Sequence, residues 1–329
     1  SNSGKKNVSS NKIKGVEKNE FVGYEDINIT SEVFHIEKSG SKNIIFTKEN
    51  PFYYEAGGQI SDKGYIKVND KKINVEEVLE SDNGSIGILI NSAEIKTGDN
   101  ISLNVDSEFR SSVSKSHTAA HIVHSSLRNI LGDHVAQAGS HVAPGKFRFD
   151  FSHTEKVNNE ELDEIFQMSN DNIYKDLIVK TDVMNIEKAK EEGALAFFGD
   201  KYDDDVRVVN IGNFSKELCG GTHVHNSNEV GLIVLINESS IGSNLRRVEM
   251  LSGYQAYNFI NNAYKSYKSV SDLLQTNIEQ VPVKLKSFIE SYENMKDKID
   301  AINKEVSNQE INRIVNETIK INNLNAYIG

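Results

Sequence analysis

Between Phe21 and Val105 the apolar residues come in short runs, Glu32-Val-Phe-His-Ile, Asn43-Ile-Ile-Phe-Thr, Gly64-Tyr-Ile-Lys-Val, Ile73-Asn-Val and Ile86-Gly-Ile-Leu-Ile, parted by Asn, Asp and Gly. Closely spaced runs of this kind predict strands, and residues 21–107 are expected to form a small closed or nearly closed β-barrel. At Ser107 the period changes. Val113, Ala120, Val123, Leu127, Ile130 and Leu131 form rows on one helix, Ser107 to Leu131, which Gly132 ends. Beyond it His134–Val142 and Lys146–Ser152 alternate as strands about the turn pair Pro144-Gly145. Asn158–Asp176 is an amphipathic helix, Leu177–Asn185 a strand and Ile186–Glu192 a short helix. Val206-Arg-Val-Val-Asn, Gly231-Leu-Ile-Val-Leu-Ile-Asn237 and Leu245-Arg-Arg-Val-Glu-Met supply further strands. The whole is expected to be α+β, with residues 108–253 an α/β sandwich of helices on a sheet.

The two ends differ. Ser1 to Glu20 has almost no apolar content and is expected to be disordered, with an opening Ser-Asn that resembles a cloning remnant. From Tyr254 the glycines vanish until the last residue, and Ile278, Val281, Leu285, Phe288, Tyr292, Met295, Ile299, Ile302 and Val306 step by three and four. That is a coiled-coil seam on a helix starting near Pro282. Residues 254–322 are expected either to fold back as a helical hairpin, the favoured reading, or to pair with a second copy as a homodimer. Residues 323–329 begin a strand-like run, expected to open a further domain.

Composition narrows the setting. The chain has 329 residues, enough for two or three domains. A single cysteine and the lack of a long apolar run place it in a reducing cytoplasm, away from membranes. The net charge of −11 argues against a protein coated with nucleic acid. Local patches can still serve: Lys115, Lys146, Arg148, Lys201, Arg246 and Arg247 fall in one segment, and Arg246 is a substrate-binding candidate, although most such charges are solvated surface.

Candidate chemistry centres on Ser116-His-Thr-Ala-Ala-His-Ile-Val-His124 and Cys219-Gly-Gly-Thr-His223. His117 and His121 are one helical turn apart, on one face, where two imidazoles can reach one metal. Taken alone this half also suits a helix with half-buried histidines. Cys219 and His223 repeat the spacing with a sulfur and a further nitrogen, the ligand types zinc prefers. The predicted set is His117, His121, Cys219 and His223 around one Zn2+. His124 is expected to pack or to support a ligand. Four protein ligands would close a zinc shell, as in structural sites, whereas catalytic sites keep a position open.

These half-motifs resemble the editing domain of alanyl-tRNA synthetase and its free-standing editing relatives. Supporting stretches follow in the family's order: Phe21-Val-Gly-Tyr24, Tyr54-Glu-Ala-Gly-Gly-Gln-Ile-Ser-Asp62, Val135-Ala-Gln-Ala-Gly-Ser140, Phe147-Arg-Phe-Asp-Phe-Ser-His153, Ala194-Leu-Ala-Phe-Phe-Gly199 and Arg246-Arg-Val-Glu249. The Gly57-Gly-Gln59 triplet also occurs in the hydrolytic loop of peptide-release factors, but a glycine-rich turn packed on the neighbouring domain is the preferred reading. The resemblance implies hydrolysis of tRNA(Ala) mischarged with serine or glycine, the acceptor end of tRNA(Ala) as partner, and a pocket-facing Gln137. Thr118 and Gln137 are then the catalytic candidates. Thr118, Gln137 and Thr222 are the groups that could read a serine hydroxyl, and the Gly220 and Gly221 amides could handle the attacking water. No aminoacylation domain is expected. The rivals are a zinc-stabilised tRNA-binding module without turnover and the editing domain of threonyl-tRNA synthetase, against which Cys-Gly-Gly-Thr-His and the barrel argue.

Overall fold

In a computed structural model that describes residues 13–92, 94–196, 204–322 and 324–327, the N-terminal runs close on themselves. The strands are β1 Glu20–Phe21, β2 Asn28–Ser39, β3 Lys42–Thr47, β4 Glu49–Asn50, β5 Gly64–Val68, β6 Lys71–Glu80, β7 Ile86–Ile90 and β8 Asn100–Val105. Six of them form a closed barrel in the order β2-β3-β7-β6-β5-β8, while β1 and β4 make a short parallel pair. Alternate residues point inward, so Val33, Ile45, Ile66, Ile88, Ile101 and Leu103 fill the interior, joined by Phe52 from the link between β4 and β5. The tight link from β5 to β6 is made by Asn69 and Asp70, both at positive φ, as a two-residue primed turn requires.

The expectation of disorder through Glu20 is corrected from Ile13 onward. Ile13 and Val16 are buried against Ile44 and Phe46. The Asn19 side chain donates to the carbonyls of Thr47 (3.0 Å) and Ile86 (2.8 Å) and accepts from the Ile86 amide (2.9 Å). Two apolar side chains and one amide suffice to lay a polar segment on the barrel, which a composition average does not register. Residues 1–12 lie outside the described residues.

Helix α1, Ser107–Leu131, follows at once, with Asp106 capping it through the Phe109 amide. Then come β9 Gln137–Ala143, β10 Lys146–Ser152, α2 Asn159–Tyr174, β11 Val179–Asn185, α3 Ile186–Glu191, β12 Asp205–Ile211, β13 Ser215–Leu218, β14 Ile233–Gly242 and β15 Leu245–Ser252. They make two sheets rather than one, β14-β15-β10-β9 and β11-β12-β13. Phe147, Phe149 and Phe151 alternate off β10 into one core with Val113, Ile122, Val123 and Leu127 of α1 and Ile165 and Ile173 of α2. An ion pair ties barrel to core. Arg110 of α1 binds Asp62 and the carbonyls of Gly23 and Pro51, and the Tyr53 amide donates to the same carboxylate. The Arg110 and Asp62 side chains are both buried.

Residues 259–329 form a second compact unit. Helix α4 spans Gly253–Leu273, α5 spans Val281–Asn316 with Pro282 in its first turn, and β16 Ile319–Ile321 pairs with β17 Leu324–Ala326. The favoured hairpin packing is corrected here: along α5 only Val281 is buried, and Phe288, Tyr292, Met295, Ile299 and Ile302 are all more than half exposed. An a/d row needs a facing row to cover it, and among the described residues none does so.

Candidate metal centre

Helix α1 is buried nearly all round, and its central turns carry histidines among small residues, so the polar groups must find partners inside the fold. His117 and His121 project from one face toward the loop that leaves β13, where Cys219 and His223 sit four residues apart. The ligand atoms of these four side chains lie within 4.8 Å of one another. Cys219 Sγ is 3.4 Å from Nε2 of both His117 and His223. Gly221 makes the approach feasible, because a Cβ there would overlap the His117 ring. Its amide donates to Cys219 Sγ at 3.3 Å.

Each histidine is held from behind through Nδ1. His117 meets Gln59 Oε1 at 2.8 Å, His121 lies 3.1 Å from Glu217 Oε2, and His223 meets Thr118 Oγ1 at 3.1 Å. The Gln59 oxygen can only accept, so at His117 it selects the tautomer that leaves the Nε2 lone pair for a metal, whereas the Thr118 hydroxyl can donate as well as accept and Glu217 faces His121 without an aligned hydrogen bond. Glu217 also takes His124 Nδ1, at 3.1 Å from Oε1.

Charge makes the same point. Burial pushes the Cys219 thiol up, but the rings of His117, His121 and His223 outweigh it and hold the thiol well below its usual range. Burial likewise opposes ionisation of Glu217, and His121 and His124 prevail to hold the carboxyl well below the usual range. Burial drives His223 down to about 3 against the pull of Cys219. It also disfavours charge on His121, yet Glu217 and Cys219 lift that ring to about 10. Two buried anions thus recruit a proton onto a ring that burial would keep neutral. A donor set of one sulfur and three nitrogens with a deficit of positive charge fits a metal cation.

The cluster floors a cavity of about 470 Å3. His117, His121 and Cys219 line it, with Gln137 and Phe149 on one wall and Phe21, Tyr24, Tyr53 and Tyr54 of the barrel side on another. The loop is clamped at this edge. Tyr24 donates its hydroxyl to the Gly220 carbonyl (2.6 Å), and Arg207 of β12 donates to the carbonyls of Cys219 (2.9 Å) and Gly221 (2.7 Å) while stacking over the Tyr24 ring.

Comparison with known proteins fits this geometry. A family model described as the threonyl and alanyl tRNA synthetase second additional domain matches residues 206–249, the stretch that carries Cys219 and His223. A second, described as tRNA synthetases class II (A), matches residues 2–109, which includes the barrel. The chain is 39% identical over 283 residues to alanine–tRNA ligase of Listeria monocytogenes (83% of this chain, 32% of that one). It is 36% identical over 318 residues to that of Bacillus subtilis (93% and 36%), and 36% identical over 306 residues to that of Petrotoga mobilis (90% and 35%). Over most of its length the chain is similar to alanyl-tRNA synthetases. It spans about a third of the length of these relatives.

Of the residues that the alanyl-tRNA synthetase resemblance marks, the structure gathers His117, His121, Cys219 and His223, and puts Gln137, Gly220 and Gly221 on the cavity. Three others sit elsewhere. Thr118 is fully buried, and its hydroxyl meets the His223 ring and the Val224 amide, so it does not face the cavity. Thr222 is buried behind the loop, its hydroxyl taken by Gln59 and Ser114. Arg246 projects from β15 into a two-pronged pair with Glu238 (2.6 and 2.7 Å), away from the cavity. Lys201 and the end of the Ala194–Gly199 loop lie outside the described residues.

Sequence reasoning missed Gln59, Glu217, Tyr24 and Arg207. Two of them left a signal. Glu217 stands two residues before Cys219 at the end of a strand, a spacing that keeps one face while the chain stays extended. Arg207 is the one charge in a buried apolar run. Among the described residues no helix is long and apolar enough to cross a membrane.

Proposed function

We propose that this chain hydrolyses the aminoacyl ester of tRNA(Ala) mischarged with serine or glycine, using one zinc ion held by His117, His121, Cys219 and His223. The observation that carries the reading is a cluster of one cysteine and three histidines at a cavity, with Cys219 and His223 in a segment matched by an alanyl and threonyl synthetase domain. The relatives are alanine–tRNA ligases, which favours tRNA(Ala) over the threonine system. A bound zinc ion would supply Lewis acidity and lower the pKa of a bound water to about 7.

The chain's own residues do the rest. Gln137 offers the cavity a donor and an acceptor, so it can orient a water or the serine hydroxyl but cannot take its proton. Gly220 has open space where a side chain would project, which leaves the loop backbone accessible to a substrate carbonyl. Tyr24 and Arg207 hold that backbone in place. The aromatic wall of Tyr24, Tyr53 and Tyr54 suits a stacked base.

The four-ligand shell favours one other reading, a structural zinc in a tRNA-binding module without turnover. Hydrolysis of Ser-tRNA(Ala) against Ala-tRNA(Ala), with Cys219→Ala and a chelated sample in parallel, separates the two. The proposal expects selective loss of the serine ester that vanishes in both controls; tRNA binding with neither ester cleaved faster than in buffer would establish the module. No alanine-dependent ATP exchange is expected in this chain. The exposed row along α5 supports a homodimer through that helix.

A further inference from the structure

We propose that Gln59 is a positioning residue of the metal centre, supplied by the barrel, which fixes the ring of His117 and the seat of the 219–223 loop. The inference rests on reading the cluster as a metal site and does not require hydrolysis.

Gln59 is fully buried. Its Oε1 accepts from His117 Nδ1 (2.8 Å) and from the Thr222 amide (2.9 Å), and its Nε2 donates to Thr222 Oγ1 (3.0 Å). The orientation of the amide is determined by these partners. A backbone N–H faces the Oε1 end, so a flipped amide would set donor against donor. With the oxygen there, His117 must carry its proton on Nδ1, and Nε2 is left to face Cys219 Sγ. Behind His121 and His223 stand Glu217 and Thr118, both within the core. Gln59 alone comes from the barrel side.

The loop that delivers it is built for close approach. The Gly58 carbonyl accepts from the Val142 amide at 2.7 Å, and the Ile60 amide donates back to the Val142 carbonyl at 3.1 Å, which stitches the loop to β9. Gly58 has φ near 83°, and a Cβ there would collide with Ser140. Three residues on from Gln59, Asp62 takes Arg110. One short segment therefore clasps the core and completes the metal centre, so docking of the barrel and order at His117 are a single event.

The test is metal affinity of the full chain, by chelator competition with Zn2+, for the unmodified protein, Gln59→Ala and Gln59→Glu. Loss of a partner behind a ligating histidine weakens affinity about 10–100-fold. That drop is expected for Gln59→Ala. Gln59→Glu should keep most of the affinity, since a carboxylate accepts both N–H groups. Native affinity in Gln59→Ala overturns the proposal, as does equal loss in both variants. Nitrogen-15 spectra of the zinc-loaded unmodified protein are independent of whether any variant folds: His117 should be protonated at Nδ1 and ligated at Nε2, and ligation through Nδ1 sinks the idea. Neither readout moves if the chain proves unable to cleave Ser-tRNA(Ala).

Discussion

Helices α1 and α5 have 25 and 36 residues, and they stand at opposite ends of the scale of burial. In α1 the central turns are enclosed, and the enclosed residues include Arg110, Ser114, Ser116, His117, Thr118, His121 and Ser126. These groups find partners inside the fold, such as Asp62 for Arg110, Thr222 for Ser114, Ser252 for Ser116 and Ser169 for Ser126. In α5 the residues outside include the apolar ones. Polar groups inside a protein stay only where a partner is fixed, and that demand locks α1 to one arrangement of its surroundings. An apolar row in water carries no such instruction. It states that something should cover it, without saying what.

Breaking the buried pair at the start of α1 should have the largest effect. Arg110→Ala leaves Asp62 with its remaining Tyr53 amide and no cation. Removing one partner of a buried pair costs about 3–5 kcal/mol. Urea melts of the metal-free chain should show that loss, with the barrel's and core's transitions drawn apart. A change within about 1 kcal/mol, the worth of an exposed pair, would mean that the clasp is not where the barrel is held.

A smaller effect concerns protons. Without metal, His121 is raised from 6.5 to about 10 by Glu217 and Cys219, against its burial. A raised folded-state value stabilises below the unfolded one and loses that contribution as pH climbs through about 10. Cys219, held well below its usual range, pulls the other way until an unfolded thiol would itself ionise, so the loss of stability in the metal-free protein should emerge only as pH approaches about 10. Ligation needs the neutral ring, so metal must displace the proton and apparent affinity should rise with pH between neutral pH and about 10, by roughly tenfold per unit for a single displaced proton. Competition titrations at several values across that window read this directly. A flat profile would place the proton elsewhere.

Much of the site was legible because its signal is local. His117 and His121 share a face by helical spacing, Cys219 and His223 repeat it, and α1 begins and ends where its apolar rows and Gly132 put the limits. The barrel was legible from runs and turns. What escaped depends on residues far apart in the chain. Nothing near Gln59 says that it lies against His117, and nothing near Thr118 says that its hydroxyl turns from the cavity toward His223. Arg246 looked available because its partner, Glu238, lies across a strand pair and not along the sequence. Ile13 and Val16 escaped because a composition average conceals two residues that pack.

The weakest expected effect tests α5. Surface substitutions remote from packed features usually stay within about ±0.5 kcal/mol. In an isolated chain Ile299→Ser and Ile302→Ser should therefore leave the melting transition almost unmoved, since both side chains are more than half exposed. In a homodimer joined through the row, the same changes put hydroxyls into a knobs-into-holes seam and should lower the molar mass in solution toward that of one chain. Light scattering of the unmodified chain and of the double variant decides. A halving of mass on substitution establishes α5 as the covering surface for its own copy, whereas one chain's mass in both samples shows that the row is not covered by a second copy.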